Sequence, residues 1–297
     1  MDAALEAILR ISTPLLFAAL GELILERAGV INIGIEGAML GGAFCAFVAA
    51  WQTGCPWIGA AAGMFGGALL MALFAFVALR FAADQIVTGM ALNLAALGLT
   101  GTANLALTQA FGRVQAATFA PLADSLRHVP VLGPLLFGQS ALTLFALLLA
   151  PLVWFYLEKS ERGMELRAVG ENPAAAEASG INVLLCRWKA CLVAGALAGL
   201  GGAFLTISQT AFFADNCTRG RGFVALAAVV LGRYNAWGVT AACLFFGSAF
   251  YVRDAFPGTR VPTDLIEMLP YVLTLAALCV RFKDSAAPAA LGKPFSR

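Results

Sequence analysis

The sequence predicts an all-α protein, a polytopic helical bundle embedded in a membrane, and two observations support this prediction. The chain has 297 residues, of which 61% are hydrophobic and only 12% charged, whereas an ordinary soluble domain carries about 25% charged residues. Uncharged runs such as 57–79 and 135–157 exceed the roughly 20 residues that cross a bilayer as a helix. We therefore expect about nine spans (eight to ten), some of them short or broken helices.

The spans can be placed in chain order, and three of them are weak. Segment 11–25 contains Pro14 and Glu22. Segment 30–51 begins in a glycine-rich stretch, and the apolar run within 220–233 is too short to cross unaided. Such segments need a surround of protein or water, so we expect them near the middle of the bundle. The full set is 11–25, 30–51, 57–79, 86–111, 135–157, 189–212, 220–233, 236–252 and 264–281.

Small residues recur at helical spacing in two of these spans. A small residue at every fourth position lies on one helix face, and in lipid such faces let two backbones approach closely. Two interpretations stay open, tight packing within the chain and a subunit interface. The residues are Gly59, Gly63 and Gly67 in one span, and Gly195, Gly199 and Ala203 in the other.

Lysine and arginine predict the orientation, because cytoplasmic loops carry an excess of both. The loop 158–188 and the tail after 283 are rich in basic residues. Placing both in the cytoplasm puts the N-terminus outside, with twelve of the 19 basic residues inside and seven outside. The N-terminus shows no signal-peptide pattern.

The cysteine and histidine content argues against metal or catalytic chemistry. Seven cysteines form no CxxC or Cys/His cluster, so they are expected to pack as small apolar residues. A Cys55–Cys217 disulfide on the outer face stays open as an alternative. The single histidine, His128, falls in the outer loop, and no Ser–His pair or carboxylate dyad is evident in the spans. An intramembrane enzyme is therefore disfavoured.

The stretch 20–40 combines carboxylates with glycines in an apolar setting. Glu22 and Glu26 are four apart and share a helix face, and Glu26 with Arg27 marks a cytoplasmic turn or an interfacial ion pair. Charged groups within spans usually face a bundle interior, a cavity or the interface. This stretch is therefore expected to lie inside the protein.

Asn32 and Glu36 lie within GVINIGIEG, where Gly34 and Gly37 weaken a helix. A broken helix exposes backbone groups that a polar solute or water can use. Glu36 can instead cap or pair with another span, such as the one bearing Arg80 or Gln85. Both roles, translocation path and structural clamp, stay open.

The fourth span adds an uncharged polar face that suits a neutral, hydrogen-bonding solute better than an ion. The same residues can equally form interhelical hydrogen bonds, which contribute only about 0.6 kcal/mol each on average. Together with Asn32 and Glu36, the candidate path residues are Gln85, Thr88, Asn93, Thr100 and Asn104.

The loop 158–188 contains a short capped helix. Asn172 and Pro173 form a helix-start signal, alanines follow as strong helix formers, and Gly180 ends the helix. So short a helix is marginal alone in water and must dock on its own bundle or on a partner.

Here the residues carry a resemblance. VGENPAAAEASGINV followed by AGALAGLGGAF is similar to the cytoplasmic coupling segment of bacterial ABC importer permeases of the branched-chain amino acid, ribose and nucleoside type. The stretches 14–44, 83–101 and 220–238 resemble the nucleoside-type (simple-sugar-annotated) subgroup, in the family's order. The outer loop 112–134 and the tail after 283 carry none of this resemblance.

The resemblance implies a transmembrane permease domain at 1–283, including the coupling loop 158–188, and a cytoplasmic tail at 284–297. It implies a multi-pass protein of the bacterial inner membrane. In such importers the short helix sits on the ATP-binding subunit. The implied contact residues are Glu171, Asn172, Pro173, Ala175, Ala176, Glu177 and Gly180.

The resemblance also implies a set of partners and a substrate class. The partners are an ATP-binding subunit, a second, related permease and an extracytoplasmic substrate-binding protein, with ATP and Mg²⁺ on the partner ATPase and no cofactor in this chain. The chain has no GxxxxGK[ST] loop. The expected substrate is a nucleoside or a related purine or ribosyl compound; a sugar, vitamin or amino acid is the alternative. An ion-gradient-driven secondary transporter stays as a rival function, although no internal repeat is evident.

Overall fold

The structure is a computed structural model, and it describes residues 2–120, 138–255, 272 and 287–295. These residues form helices and connecting turns, with no strand among them, which confirms the predicted fold class. Helices α3 and α8 continue as π-helical segments at Phe76–Arg80 and Leu205–Thr210. The helices are α1 (Asp2–Arg27), α2 (Ile35–Thr53), α3 (Pro56–Ala75), α4 (Gln85–Phe111), α5 (Ala141–Lys159), α6 (Glu161–Glu171), α7 (Pro173–Ala178), α8 (Val183–Phe204), α9 (Arg221–Leu231) and α10 (Ala236–Ala255).

The helix lengths agree with most of the expected spans. Six described helices, α1–α5 and α8, are long and apolar enough to cross a membrane, and α9 is apolar but short. Helix α2 begins at Ile35 rather than at 30, because residues 28–34 form a break between α1 and α2. The expected span 264–281, apart from Val272, and the outer-loop residue His128 lie outside the described residues.

Helix α1 lies in the centre of the bundle, although Pro14, Glu22 and Glu26 interrupt its apolar sequence. Its middle, from Leu15 to Leu20, is almost completely buried, against α8, α10, α9 and α5. The weak first span is therefore surrounded by protein, as the polarity of its residues predicts.

Glycines bring the backbones of α3 and α8 into direct contact. A methyl group on Gly67 would collide with the backbones of Gly195 and Gly199, and one on Gly199 would collide with the carbonyl of Gly63. The small residues predicted from their spacing therefore pack within the chain. Helix α2 joins the same group, because Gly42 also lies against the backbone of Gly199.

The helix ends form two layers. In one layer, the α1–α2 break, the start of α4, helices α6 and α7, and the tail segment 287–295 lie together, as the hydrogen bonds from Ile31 to Gln85 and from Ala290 to Gly170 show. The opposite layer contains the α2–α3 turn, the end of α4 and the end of α8, where Ala116 and Phe119 donate to the carbonyls of Ala211 and Ile207. The basic loop 158–188 and the tail thus lie on the same side, as predicted.

The cysteines give one correction. Cys55 and Cys217 are both free, so the alternative of a disulfide between them is wrong. Cys217 is instead enclosed in the segment that precedes α9, which supports the interpretation of these cysteines as small packing residues.

Candidate coupling and translocation sites

The short helix α7 forms in the layer that holds the basic loop 158–188, with the predicted start and end signals. The Asn172 side chain accepts a hydrogen bond from the Ala175 N–H at 3.1 Å, and Pro173 occupies the first turn. Gly180 has a φ of +89°, a conformation that glycine adopts without steric cost. The helix is therefore a fixed projection with defined ends.

One face of α7 is anchored and the other is free. Ala176 is 4% exposed and packs with Val169 and Val183, against which Phe295 of the tail also lies. Of the predicted coupling residues, Ala176 therefore faces inward and holds the helix in place. Glu171, Asn172, Ala175 and Gly180 are exposed, while Pro173 and Glu177 are half-buried.

Tail residues 287–295 tie this layer together. The Ala289 N–H donates to the Glu171 carboxylate at 3.2 Å, and the Gly292 N–H donates to the carbonyl of Gly29 at 3.2 Å. Arg187 is fully buried and donates from Nε to the Ala28 carbonyl and from Nη1 to the Lys293 carbonyl, each at 3.2 Å. One guanidinium therefore links α8, the end of α1 and the tail.

The break between α1 and α2 is bound by two amide side chains of α4. Gln85 Oε1 accepts from the Ile31 N–H at 2.9 Å. Asn93 Oδ1 accepts from the Gly37 N–H at 2.7 Å, and Asn93 Nδ2 donates to the Ile33 carbonyl at 2.8 Å. Asn93 thereby satisfies backbone groups on both sides of the break and caps α2 from a neighbouring helix.

Glu36 joins α2 to the start of α9. Its two carboxylate oxygens accept from the N–H groups of Gly220 at 2.7 Å and Gly222 at 2.6 Å, and the residue is only 8% exposed. Helix α9 has no cap from its own sequence, so the Glu36 carboxylate supplies both the hydrogen bonds and the negative charge that a helix N-terminus favours. We call this pair of hydrogen bonds the Glu36 clamp.

Asn32 lies beside the buried carboxylates of α1. Asn32 Nδ2 donates to Glu22 Oε2 at 3.3 Å, and Glu22, Glu26 and Asn32 are all at least nine-tenths buried. Among the described residues, no ion pair joins Glu26 to Arg27; Arg27 Nε donates instead to the Tyr234 carbonyl at 2.9 Å. Burial, and secondarily the charge of Glu26, raise the pKa of Tyr234 to about 12, so its phenol stays protonated at neutral pH.

The remaining polar residues of α4 divide into two groups. The hydroxyls of Thr88 and Thr100 donate to the carbonyls of Asp84 and Ala96 in their own helix, each at 2.7 Å. Asn104 points away from α4, and its Nδ2 donates to Asp215 Oδ1 at 2.9 Å. Of the candidate path residues, Asn104 lines a cavity of about 520 Å³ in the layer opposite α6 and α7.

The sequence did not point to the partners of these residues. Asp215 lies between two predicted spans, Gly220 and Gly222 begin a segment predicted only as a weak span, and Arg187 is one of several basic residues of the loop 158–188. One signal of the start of α9 was available, the GRG triplet at 220–222 before an apolar run. Glycine is common at helix starts, including those that receive their cap from another segment.

These features define a class of protein. Membrane-spanning helices around a polar helix break, together with a short capped helix exposed on the side that holds the basic loop, are the parts of a multi-pass transport permease of the inner membrane. The family described as the branched-chain amino acid transport system permease component matches residues 4–278, and the chain belongs to this family.

Relatives extend across almost the whole chain. The nucleoside ABC transporter permease protein NupC of Lactococcus lactis is 36% identical, covering 95% of this chain and 92% of that protein. The guanosine ABC transporter permease protein NupQ of Bacillus subtilis is 35% identical, covering 96% and 93%. A second B. subtilis protein of that description, NupP, is 28% identical over 91% of this chain and 80% of its own length.

A solved structure shares the fold. An inward-facing metal-chelate-type ABC transporter aligns with a TM-score of 0.52 at 18% identity, covering 93% of this chain and 84% of the other. The helical arrangement is therefore that of an ABC transporter permease.

Proposed function

We propose that this chain is a permease subunit of an ATP-driven importer that moves nucleosides or related purine and ribosyl compounds inward. The observation that carries the proposal is the identity of 35–36% over nearly the full length to permeases named for nucleosides and guanosine. An uncharged hydrogen-bonding side chain such as Asn104, which lines a cavity, suits a neutral polar solute of this kind.

ATP hydrolysis belongs to a separate subunit in this proposal. The sequence lacks a P-loop, so ATP and Mg²⁺ would bind the partner and no cofactor would bind here. The exposed face of α7, with Asn172 and Ala175, is the proposed contact. Because Ala176 fixes the opposite face to α6 and α8, a push on α7 passes into the bundle instead of bending a loop.

The assembly is proposed to contain a second, related permease and an extracytoplasmic binding protein. The description of both NupQ and NupP as guanosine permeases of one bacterium supports a pair of different permeases. Helix α4 supports it too, because Leu94, Leu99 and Leu105 are largely exposed and can contact a neighbouring helix or lipid.

Uptake of tritiated guanosine tests the proposal. Proteoliposomes would contain this chain with the permease, ATP-binding subunit and binding protein that co-purify with it. We expect uptake that requires ATP in the compartment that the ATP-binding subunit faces. A protonophore should not reduce this uptake, and unlabelled nucleosides should inhibit it.

Competition distinguishes the alternatives. Inhibition by ribose, by a vitamin or by leucine, but not by nucleosides, would assign the substrate to the class of the inhibiting compound instead. Gradient-driven uptake by this chain alone would reject the ATP-driven mechanism and favour a secondary transporter.

A further inference from the structure

The layer opposite α6 and α7 contains a cavity of about 520 Å³ between α2, the end of α4 with the following residues 113–115, and residues 212–213. Its volume falls in the range of about 300–1,000 Å³ that is typical of small-molecule sites. Its walls combine aromatic rings with hydrogen-bonding groups. The lining residues used below are Phe47, Asn104, Thr108, Gln115, Phe212 and Phe213.

The aromatic wall has a fixed part and a free part. Phe213 is buried, and its ring packs against Phe44 at 5.2 Å and Phe47 at 6.3 Å between centroids. Phe212 beside it is 51% exposed, so it can lie against a flat ring. Stacking on an aromatic side chain is the usual way in which proteins hold an unpaired base.

The polar wall offers both acceptors and donors. Asn104, which lines the cavity, donates a hydrogen bond of 2.9 Å to Asp215, an exposed residue that lies beside the lining residues. The Asp215 carboxylate accepts hydrogen bonds, as the N–H groups on the edge of a guanine or adenine require. Gln115, Thr108 and the Arg113 guanidinium add donors for base carbonyl and ribose oxygens.

The segment that forms this wall also ends at the Glu36 clamp. It runs from Phe212 through Asp215 to Gly220, whose N–H the Glu36 carboxylate accepts. Ala211 and Asn216 have φ values of +64° and +53°, which non-glycine residues rarely adopt. Local strain of this kind persists only where surrounding contacts hold it. A ligand that replaces Asn104 as the partner of Asp215 therefore changes the contacts that hold this segment at the Glu36 clamp.

We propose that this cavity is a loading site for purine nucleosides on the outer side of the permease, with the base against Phe212 and its N–H edge on Asp215. The inference rests on the proposed function for its substrate class. It adds that the permease itself recognises the base, independently of the external binding protein.

The test uses the assembled transporter in nanodiscs, without the external binding protein, and guanosine as the probe. We expect saturable guanosine binding, weakened about tenfold by Phe212→Leu and by Asp215→Asn, a loss within the range of base stacking and carboxylate recognition. Uptake by proteoliposomes that include the binding protein should show a raised KM with a nearly unchanged maximal rate. Phe65→Leu, which removes an exposed ring from α3, away from the cavity, is the matched control and should behave as the unmodified chain.

Photolabelling makes the test independent of variant folding. We expect 8-azidoguanosine to label peptides containing residues 113–115 or 212–215 in the unmodified complex, and excess guanosine to suppress the labelling. The near-isosteric Thr108→Val serves as a second, milder variant, with a smaller rise in KM.

The outcomes separate the two proposals. If the unmodified transporter imports guanosine while the variants bind and transport equally well, or if labelling falls only elsewhere, the loading site is wrong and the proposed function stands. If the unmodified transporter neither binds nor imports any nucleoside, the substrate class is wrong and the loading site fails with it.

Discussion

The Glu36 clamp provides the sharpest test of how the bundle is held together. Replacing Glu36 with Gln keeps the size of the side chain but removes the charge and one acceptor. The amide oxygen can still accept from Gly220 or Gly222, whereas the amide nitrogen then faces the other N–H and leaves it without a partner. The perturbation therefore acts on two hydrogen bonds of 2.7 and 2.6 Å without creating a cavity.

The magnitude follows from these two bonds. A hydrogen bond to a charged group contributes about 1.5–3 kcal/mol, and a buried unsatisfied donor costs about 1–3 kcal/mol. We therefore expect Glu36→Gln to destabilise the α2–α9 contact by about 2–5 kcal/mol, which changes its opening equilibrium by roughly 30-fold to several thousand-fold. For a chain of this length, such a loss lowers Tm by roughly 3–8 °C.

Thermal unfolding of the purified subunit and guanosine uptake by the assembled transporter should both be measured. A clamp predicts that Glu36→Gln lowers Tm and uptake together. Glu161→Gln makes the same chemical change in the first turn of α6, where the residue is exposed, and should leave both unchanged. A lowered uptake at unaltered Tm would refute the clamp and favour a direct role for Glu36 in the translocation path.

Three further predictions concern other parts of the molecule. Ala175→Arg should leave Tm within about 1 °C, because exposed substitutions change stability by no more than about 0.5 kcal/mol. It should reduce co-purification of the ATP-binding subunit and uptake at least about tenfold, because the arginine overfills a close contact. Normal co-purification and normal uptake would show that α7 is not part of the coupling contact. Asn93→Ala should leave the Gly37 N–H and Ile33 carbonyl unpaired and lower Tm by roughly 5–10 °C, whereas an unchanged Tm with lost uptake would favour a solute contact. Gly67→Ala should cost about 1–3 kcal/mol or more through backbone collision, seen as reduced yield and Tm; Gly98→Ala on α4, where open space surrounds the glycine, is its control.

Local chemistry made parts of the fold predictable from the sequence. The spans follow from uninterrupted apolar length, and the ends of α7 follow from Asn172, Pro173 and Gly180, which act on their immediate neighbours. The glycine spacing in α3 and α8 indicated close helix contact, because helical periodicity fixes which residues share a face. These signals are complete within a few turns of chain.

The contacts of the polar residues could not be predicted in the same way. Glu36 was considered as a partner of Arg80 or Gln85, but it binds backbone N–H groups 184 and 186 residues away. Backbone donors carry no residue type and leave no mark in the sequence. The Asn104 partner, Asp215, is 111 residues distant and lies in a segment without regular periodicity, so nothing local indicates that the two meet.

The glycine contact between α3 and α8 has a consequence for how the permease can change shape. Helices whose backbones touch leave no side-chain layer to shear, so α2, α3 and α8 are expected to move as a single body. The α4 and α9 contacts with α2 also include directional hydrogen bonds from Asn93 and Glu36, which can be exchanged for hydrogen bonds to water when these contacts open. Any opening of a route through the protein is therefore expected to separate α4 and α9 from α2 at these polar contacts, while α2, α3 and α8 stay packed together.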